Sequence, residues 1–427
     1  MSADNNLNKY LVGGAVRDQL LGIAPSEQDW VVTGASPEDM LKRGFKQVGN
    51  EFPVFLHPDT KEEYALARRE RKQGSGYHGF ATDTRSVTLE EDLSRRDLTI
   101  NAMALTDQNE LIDPFDGQDD IRQRVLRHVS PAFAEDPLRV LRVARFSAQL
   151  STFCFQLADE TRQLLQSMSS SGELEKLTPE RVWMETEKAL KTSRPRLYFE
   201  VLREIGALKV IFPEIDALFG IDQRPRFHPE IDVGLHCLMS LDSIAELTDD
   251  PVQRFAVLCH DLGKATTPPS VRPGHAGHED RGAILTEQLC NRLKVPNKYR
   301  QLAVTVARLH LKCHQALKTP ANELVQLLSQ LGAWTQKSSV EAFGNCCMAD
   351  ARGRTGLESR PYPQKEFLLE CEQAGASISA SQLVDQGYQG EELGKHLKAM
   401  RAKAMEEVIA RYQDIDELCY ACPDEKN

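Results

Sequence analysis

The sequence has no apolar run approaching the roughly 18–20 residues that a membrane span needs. Its opening residues, MSADNNLNKY, are polar and mildly acidic, which excludes a secretory leader. A paired-cysteine framework is also missing. The ten cysteines are scattered, two of them adjacent at Cys346-Cys347, and in a chain of this size that pattern reads as reduced thiols. One Cys-x-x-Cys occurs, Cys419 to Cys422, without the two further ligands that a zinc site needs nearby. Internal repeats and low-complexity segments are absent. Positive charge is in deficit: 52 Lys and Arg against 63 Asp and Glu leave a net charge of −11. That balance argues against a protein that coats nucleic acid, although local basic patches can still steer a polyanion. The expectation is a cytoplasmic protein with no membrane partner.

What is present divides by texture. At 427 residues the chain is too long for one ordinary core, and two to four domains are expected. To about Asp116, short β-rich runs (YLVGGAV, DWVVTG, PVFLHP, EYALARR, ALTDQNELIDP) alternate with turns, and SPEDMLKRG reads as a capped helix. From Gly117 the apolar spacing turns helical in DDIRQRVLRHV, DPLRVLRVARFSAQL, ADETRQLLQSM, TPERVWMETEKAL and PRLYFEVLREIGAL. The loop GIDQRPRFHPE closes that section. A second helical region carries most of the histidines, and a charged helical tail follows a linker around GRTGLESRPYPQ. The expected borders are 1–116, 117–227, 228–335 and 336–427. RKQGSGYHGFATDTR, rich in glycine and small polar residues, suits a lid or an ordinary surface loop.

Two carboxylates stand two positions apart in EQDWVV. On a strand Glu27 and Asp29 project to one face, where they can hold a pair of Mg²⁺ ions for in-line phosphoryl transfer. An acidic turn before a strand would read the same way. Across a twelve-residue gap on the N-terminal side, Gly13-Gly14 separates a strand from a helix, where bare backbone admits a triphosphate, and Arg17 stands one turn into that helix. Together these match the signature of the nucleotidyltransferase superfamily that includes DNA polymerase β. A third acid is expected on a neighbouring strand, with Glu63 the candidate and Glu62 the alternative.

SRRDLTINAMAL at Ser94–Leu105, IDPFDGQDDI at Ile112–Ile121 and EDPLRVLRVARF at Glu135–Phe146 narrow the likeness. They resemble the class II tRNA nucleotidyltransferases, the CCA-adding enzymes, which share their head with bacterial poly(A) polymerases. The resemblance implies that Gly14 and Arg17 contact incoming ATP or CTP, that Glu27 and Asp29 bind magnesium with Glu63 completing the catalytic acids, and that Arg96, Arg142 and Arg145 hold the nucleotide. It also implies tRNA as the macromolecular partner. The superfamily commonly places Asp first in the acid pair, where this chain has Glu27, a hard oxygen ligand with one more methylene.

EDPLR has a logic of its own. On a helix Asp136 and Arg139 lie three apart and face the same way. Cytosine and adenine both present an amino donor beside a ring-nitrogen acceptor, and uracil and guanine invert that order. One Asp–Arg pair can therefore accept C and A while rejecting U and G. The alternative is a helix-capping acid with a surface arginine.

The second half carries GLHCL, CHDLGK, GHAGHEDRG, LHLKCH and MADARGR. These resemble the HD-domain metal-dependent phosphohydrolases, and matching positions gives His236, His260, Asp261 and Asp350 as ligands of a divalent metal, Mg²⁺ or a transition metal such as Ni²⁺. His278 and His310 are candidates for phosphate or a second metal, and His228 and His314 read as structural or surface residues. An adjacent His-Asp inside an apolar helix is hard to explain otherwise, because burying both unpaired is costly. Basic runs able to meet RNA phosphates are local: Ala67–Lys72, Arg122–His128 and KHLKAMRAKAM near the C-terminus; each reads equally as a solvated helix face, and for the last that is the favoured reading.

The fold class expected is multidomain α+β: a polymerase-β-like nucleotidyltransferase head with a mixed sheet, an all-α neck and body, and an all-α HD domain. The expected activity is addition of C, C and A to the 3′ end of tRNA, with phosphohydrolase activity in the HD domain. A poly(A) polymerase, a partial CCA-adding enzyme, and an HD phosphohydrolase with a nucleotide-sensing head are the alternatives. A monomer and a homodimer are equally compatible with the sequence.

Overall fold

The computed structural model describes residues 7–25, 28–48, 54–72, 80–83, 87–336 and 338–413, with backbone alone at 69–72 and 80–83. Glu27, Cys419 and Cys422 lie outside the described residues, as does most of the glycine-rich segment after Lys72. The chain forms two compact units, Met1–Thr186 with Leu197–Ile211, and Glu187–Arg196 with Phe212–Asn427.

The first unit opens with β1 (Asn8–Val12), α1 (Gly14–Leu20), β2 (Asp29–Thr33), α2 (Pro37–Lys42), β3 (Lys46–Val48), β4 (Val54–Leu56) and β5 (Glu63–Leu66). Then come β6 (Arg69–Lys72), β7 (Phe80–Asp83), α3 (Leu89–Ser94), β8 (Ala104–Leu105) and β9 (Leu111–Ile112). Seven strands form one sheet in the order β3-β4-β5-β2-β1-β8-β9. Only β2 and β5 run parallel, so the sheet is mixed, as expected. β6 and β7 make a separate antiparallel ribbon. The period-2 alternation of DWVVT sends Trp30 and Val32 into one core with Met40, Phe55 and Tyr64. Val31 goes into the other with Val12, Leu93 and Ala104. α2 starts on a capping box: Ser36 Oγ accepts from Asp39 N at 3.2 Å and Asp39 Oδ2 accepts from Ser36 N at 3.0 Å.

Two expectations are corrected here. ALTDQNELIDP is not one strand but the hairpin β8–β9, turned at Thr106–Glu110 with Asn109 at φ 61°. DDIRQRVLRHV is not one helix. α4 (Gly117–Gln123) stops where Arg124 turns left-handed (φ 61°), with its guanidinium over the rings of Phe153 and Phe155. The following Val125–Leu126 becomes β10, paired in parallel with β11 (Gln156–Leu157). Tertiary pairing has overridden the local helical period.

The helices read from sequence follow: α5 (Leu138–Gln149), α6 (Asp159–Ser170), α7 (Pro179–Leu190) and α8 (Arg196–Glu204); the short α9 (Leu208–Ile211) was not expected. The second unit is helical. It holds α10 (Pro213–Asp216), α11 (Val233–Leu247), α12 (Pro251–Cys259), α13 (His278–Arg292), α14 (Asn297–His314), α15 (Ala321–Gln330) and α16 (Ser339–Arg352). α17 (Gln364–Ala376), α18 (Ala380–Asp385) and α19 (Gly390–Tyr412) complete it. α11, α12, α14 and α16 bury Leu241, Phe255, Leu258, Val306 and Phe343 between them. Among the described residues no helix is long and apolar enough to cross a membrane.

Candidate functional site

In the first unit, one register line crosses three strands: Val12 pairs with Asp29, and Asp29 with Glu63. Asp29 and Glu63 therefore leave adjacent parallel strands side by side, on the face opposite the stacked rings of Trp30 and Tyr64. Both are exposed, as a solvated metal site requires. Glu62 instead precedes β5, with its carboxylate accepting from the Thr60 hydroxyl at 3.0 Å, so of the two glutamates Glu63 is the one paired with Asp29. Two neighbouring carboxylates, hard oxygen donors about one strand spacing apart (~4.8 Å), have the chemistry to hold Mg²⁺.

Directly after Val12, Gly13 takes φ 72°, a left-handed conformation that a side chain would strain. A Cβ there would also sit 2.9 Å from Arg96 Nη1, and one on Gly14 would sit 3.5 Å from Arg17 Nη2. Two guanidinium groups thus converge on the glycine turn beside the acid pair. Arg17 is almost fully buried and held in place: Nη1 donates to Asn101 Oδ1 at 2.7 Å, and Nη2 to Asp18 Oδ1 at 2.7 Å. Asn101 Nδ2 in turn donates to Asp97 Oδ1 at 3.0 Å, and Arg142 Nε to Asp97 Oδ2 at 2.7 Å. Burial opposes ionisation of Asp97, but the Arg142 guanidinium together with hydrogen bonds from Asn101 and the Leu98 amide outweighs it and holds the carboxyl well below its usual range. Arg142 is two-thirds covered; Arg145 is buried, with Nε donating to Glu185 Oε2 at 2.5 Å and Nη1 to Gln149 Oε1 at 2.7 Å. Arg145 therefore supports the helix wall through Glu185. The reading of SRRDLTINAMAL named only Arg96, yet Asp97 and Asn101 in the same motif are the links between α1 and α5.

Asp136 and Arg139 do not share a helix face as the spacing implied. Asp136 is extended (φ −113°, ψ 106°) just before α5, and its Oδ1 accepts from Leu138 N at 3.0 Å. Its partner is Arg181 of α7, with Nη2 3.0 Å from Oδ2. Arg139 donates to the carbonyls of Ala132 and Arg95. Pro137 forces this break, since the residue before proline is driven out of the α region.

In the second unit the metal-type residues do come together. His236 on α11, His260 at the end of α12, Asp261, His278 at the start of α13, His310 on α14 and Asp350 on α16 surround one buried point. His236 Nε2 lies 3.0 Å from Asp350 Oδ1, His260 Nε2 3.2 Å from Asp261 Oδ2, and His278 Nε2 3.3 Å from Asp261 Oδ1. His278 and His310 face one another, Nε2 to Nε2, at 3.3 Å. Every one of the four rings has Nδ1 on a backbone carbonyl: Gly353 O, Val257 O, His275 O and Val306 O, at 2.7–3.0 Å. Donation from Nδ1–H fixes the tautomer and leaves each Nε2 lone pair aimed at the cluster, the arrangement of metal-binding imidazoles. His260 Nε2 and both Asp261 oxygens are buried without a hydrogen bond of ordinary geometry, although the Lys264 ammonium is 2.6 Å from Asp261 Oδ2. Such a donor set fits a divalent cation. Burial opposes charge on Asp261 and Asp350. The opposing charges and hydrogen bonds around them outweigh it, with the Lys264 ammonium beside the first and the Arg354 guanidinium beside the second, and both carboxyls stay well below the usual range.

Gly263 lets this site close. A Cβ there would fall 2.0 Å from His278 O, so only glycine allows α13 to lie against the turn after the His-Asp pair. Glu230 and Tyr362 went unread in the sequence, and His314, expected to be structural or surface, instead touches an expected metal ligand. His314 Nε2 is 2.7 Å from Asp350 Oδ2 and its Nδ1 accepts from Tyr362 Oη at 2.8 Å, so it orients the carboxylate. Glu230 lies 3.1 Å from His236 Nδ1 and 3.0 Å from His228 Nδ1. The near-invisible signal was HPE, which places a carboxylate two residues after a histidine at the end of the loop before α11. A cavity of about 490 Å³ opens beside the cluster, lined by Gln223, Arg224, Lys264, His278, Arg354 and Tyr362 among others. Tyr362, buried in that wall, belongs to a segment expected to be a linker.

Comparison with known proteins adds a third line. Residues 9–127 match the family described as the Poly A polymerase head domain, and residues 154–219 match the probable RNA and SrmB-binding site of polymerase A. The chain is 55% identical over 407 residues to the Multifunctional CCA protein of Acinetobacter baylyi, covering 95% of this chain and 98% of that one. With the Multifunctional CCA protein of Thioalkalivibrio sulfidiphilus the identity is 52% over 407 residues, covering 95% and 100%. Among solved structures, a CCA-adding enzyme in an apo form superposes with a TM-score of 0.63 at 21% identity, covering 96% of this chain and 92% of that one. The Thermotoga maritima CCA-adding enzyme complexed with tRNA gives 0.60 at 19%, covering 98% and 93%. These two share the fold.

Proposed function

The chain belongs to the multifunctional CCA protein family and is a tRNA nucleotidyltransferase, and from that premise we propose that it adds C, C and A in turn to the 3′ end of tRNA from CTP and ATP, with a separate phosphohydrolase site in its second half. The observation that carries the first part is the register line: Asp29 and Glu63 side by side, next to a glycine turn flanked by Arg17 and Arg96. We assign residues 1–116 to the head, 117–227 to the neck and body, 228–335 to the phosphohydrolase domain and 336–427 to a helical tail, with the second site completed by Gln223 and Arg224 from before its domain and by Asp350, Arg354 and Tyr362 from after it.

In the head, Asp29, Glu63 and Glu27 would hold magnesium, which when bound stabilises charge on the attacking and leaving oxygens of an in-line displacement. The chain's own groups position the reactants. The bare backbone at Gly13-Gly14 admits the triphosphate, and Arg17 and Arg96 meet its oxygens. The Asn101–Asp97–Arg142 chain keeps Arg17 and α5 in a fixed relation. Asp136 and Arg139 read the base edge after Asp136 leaves Arg181 and Arg139 leaves its carbonyls. With the 3′-hydroxyl of tRNA held in line, the reaction needs no covalent enzyme intermediate, and positioning supplies much of the rate.

In the second half, His236, His260, Asp261 and Asp350 would hold a divalent metal, and His278 and His310 would bind a phosphate or complete a second metal site. When bound, such a metal would supply an activated water for phosphoester hydrolysis. His314 and the four backbone carbonyls fix the orientation of the ligands. Lys264 and Arg354 give the cavity its positive charge.

A 3′-extension assay tests the first reading, using tRNA that lacks CCA, magnesium and each nucleotide singly and together. Two C and one A, with no U or G, is the expected product. Long tails of A alone would move the protein to poly(A) synthesis, and binding of nucleotide without incorporation would make the head a sensor.

A further inference from the structure

The loop before α11 entered the sequence reading only as a boundary, yet it forms a wall of the cavity beside the His-Asp cluster. It is pinned at both ends. Gln223 N donates to Ile231 O at 2.8 Å, Asp222 and Asp232 form an isolated antiparallel bridge, and Asp222 O accepts from His275 Nε2 at 2.8 Å. A loop fixed in this way presents its side chains in a constant place.

Gln223 is 2% exposed and its two amide atoms are in different situations. Oε1 accepts from Lys264 Nζ at 2.7 Å, and that ammonium lies 2.6 Å from Asp261 Oδ2. Nε2 has no hydrogen-bond partner. A buried amide donor left unpaired is costly, and native structures seldom keep one without a water or ligand to receive it. Next to it in sequence, Arg224 is exposed at the same cavity, its Nη2 3.1 Å from where a Cβ on Gly274 would lie.

Resting on the phosphohydrolase reading above, we infer that this loop is the substrate-recognition element of the second site, with Gln223 as its central residue. Gln223 Oε1 holds the Lys264 ammonium toward the metal ligands. Gln223 Nε2 donates to a non-bridging oxygen of a phosphoester, and Arg224 meets remaining negative charge at the mouth. The ligand class is a terminal phosphate ester small enough for the cavity.

The test uses the full chain with Mn²⁺ or Ni²⁺ and two probes: turnover of p-nitrophenyl phosphate and calorimetric binding of inorganic phosphate. Gln223→Glu keeps an oxygen for Lys264 and removes the donor; Gln223→Leu removes both. Loss of a hydrogen bond to a charged oxygen is expected to raise KM and weaken phosphate binding about tenfold in Gln223→Glu, with kcat changed far less. Gln223→Leu should lower kcat as well, because Lys264 loses its support. Circular dichroism and melting temperature identify a folding defect, and Gln223→Asn serves as the milder variant if Gln223→Leu is unstable. Turnover with unaltered KM and phosphate affinity in Gln223→Glu would overturn the inference while leaving the phosphohydrolase reading intact. Weakened phosphate binding in a chain that hydrolyses nothing would overturn that reading and uphold the loop's role. Absence of both phosphate binding and turnover in the native protein would overturn both.

Discussion

Single residues decide the head's chemistry. Asp29→Asn keeps shape and hydrogen-bonding capacity while removing a charge from the acid pair. Nucleotide addition is expected to fall by about a thousandfold, the equivalent of several kcal/mol of lost charge stabilisation, with tRNA binding by gel shift unchanged. Asp97 makes a different prediction. Its folded pKa lies below the unfolded value because Arg142, with the hydrogen bonds from Asn101 and the Leu98 amide, outweighs burial. The pair's contribution is therefore full above about pH 4, the ordinary aspartate range, and is lost as pH falls through the depressed folded value. Asp97→Asn should cost about 2 kcal/mol at neutral pH, less than a fully buried pair because Arg142 is a third exposed. The gap in thermal stability between variant and native protein should narrow progressively below pH 4. Candidate residues were legible in the sequence wherever a residue type stood at a chemically meaningful spacing, as for Asp29 or His260. It was not legible where a role depends on a distant partner: nothing near Asp136 announces Arg181, which lies 45 positions away.

Elements were readable where one local signal governs them. Ser36 and Asp39 announce α2, and the alternation of DWVVT announces β2. The limits lay where long-range pairing decides, as at β10, whose partner β11 comes thirty residues later. Gly263 belongs to this scale because it sets the approach of α13 to the turn after α12. Gly263→Ala places a methyl group 2.0 Å from His278 O and 2.5 Å from Gly282 N, so α13 must move. Overpacking of this kind costs about 2 kcal/mol, or a fall of roughly 4–8 °C in melting temperature for a unit of this size. Because His278 rides on that helix, metal binding measured by calorimetry should weaken by more than the stability loss explains. A melting shift with unchanged metal affinity would show that His278 is not a ligand.

At the scale of the molecule, each compact unit builds its site from its own residues. His260→Ala is expected to abolish phosphoester hydrolysis and leave tRNA extension within about twofold of native. Asp29→Asn should produce the reverse pattern. Parallel loss of both activities in either variant, in a folded protein, would show that the two sites are coupled. The division into a mixed-sheet start and a helical remainder was visible as a change in hydrophobic period near Gly117. The convergence of four histidines and two aspartates, spread from position 236 to 350, was visible only as a tally of ligand types.

The line through Val12, Asp29 and Glu63 has one more consequence. The separation of the two acids is set by hydrogen-bonded peptide groups on neighbouring strands rather than by the packing of any side chain. Core residues on either face can drift among apolar types without moving the acids apart. A single residue inserted into β2 or β5 would turn one acid to the opposite face and silence the pair at once. Evolution of this head is therefore free in composition and rigid in count.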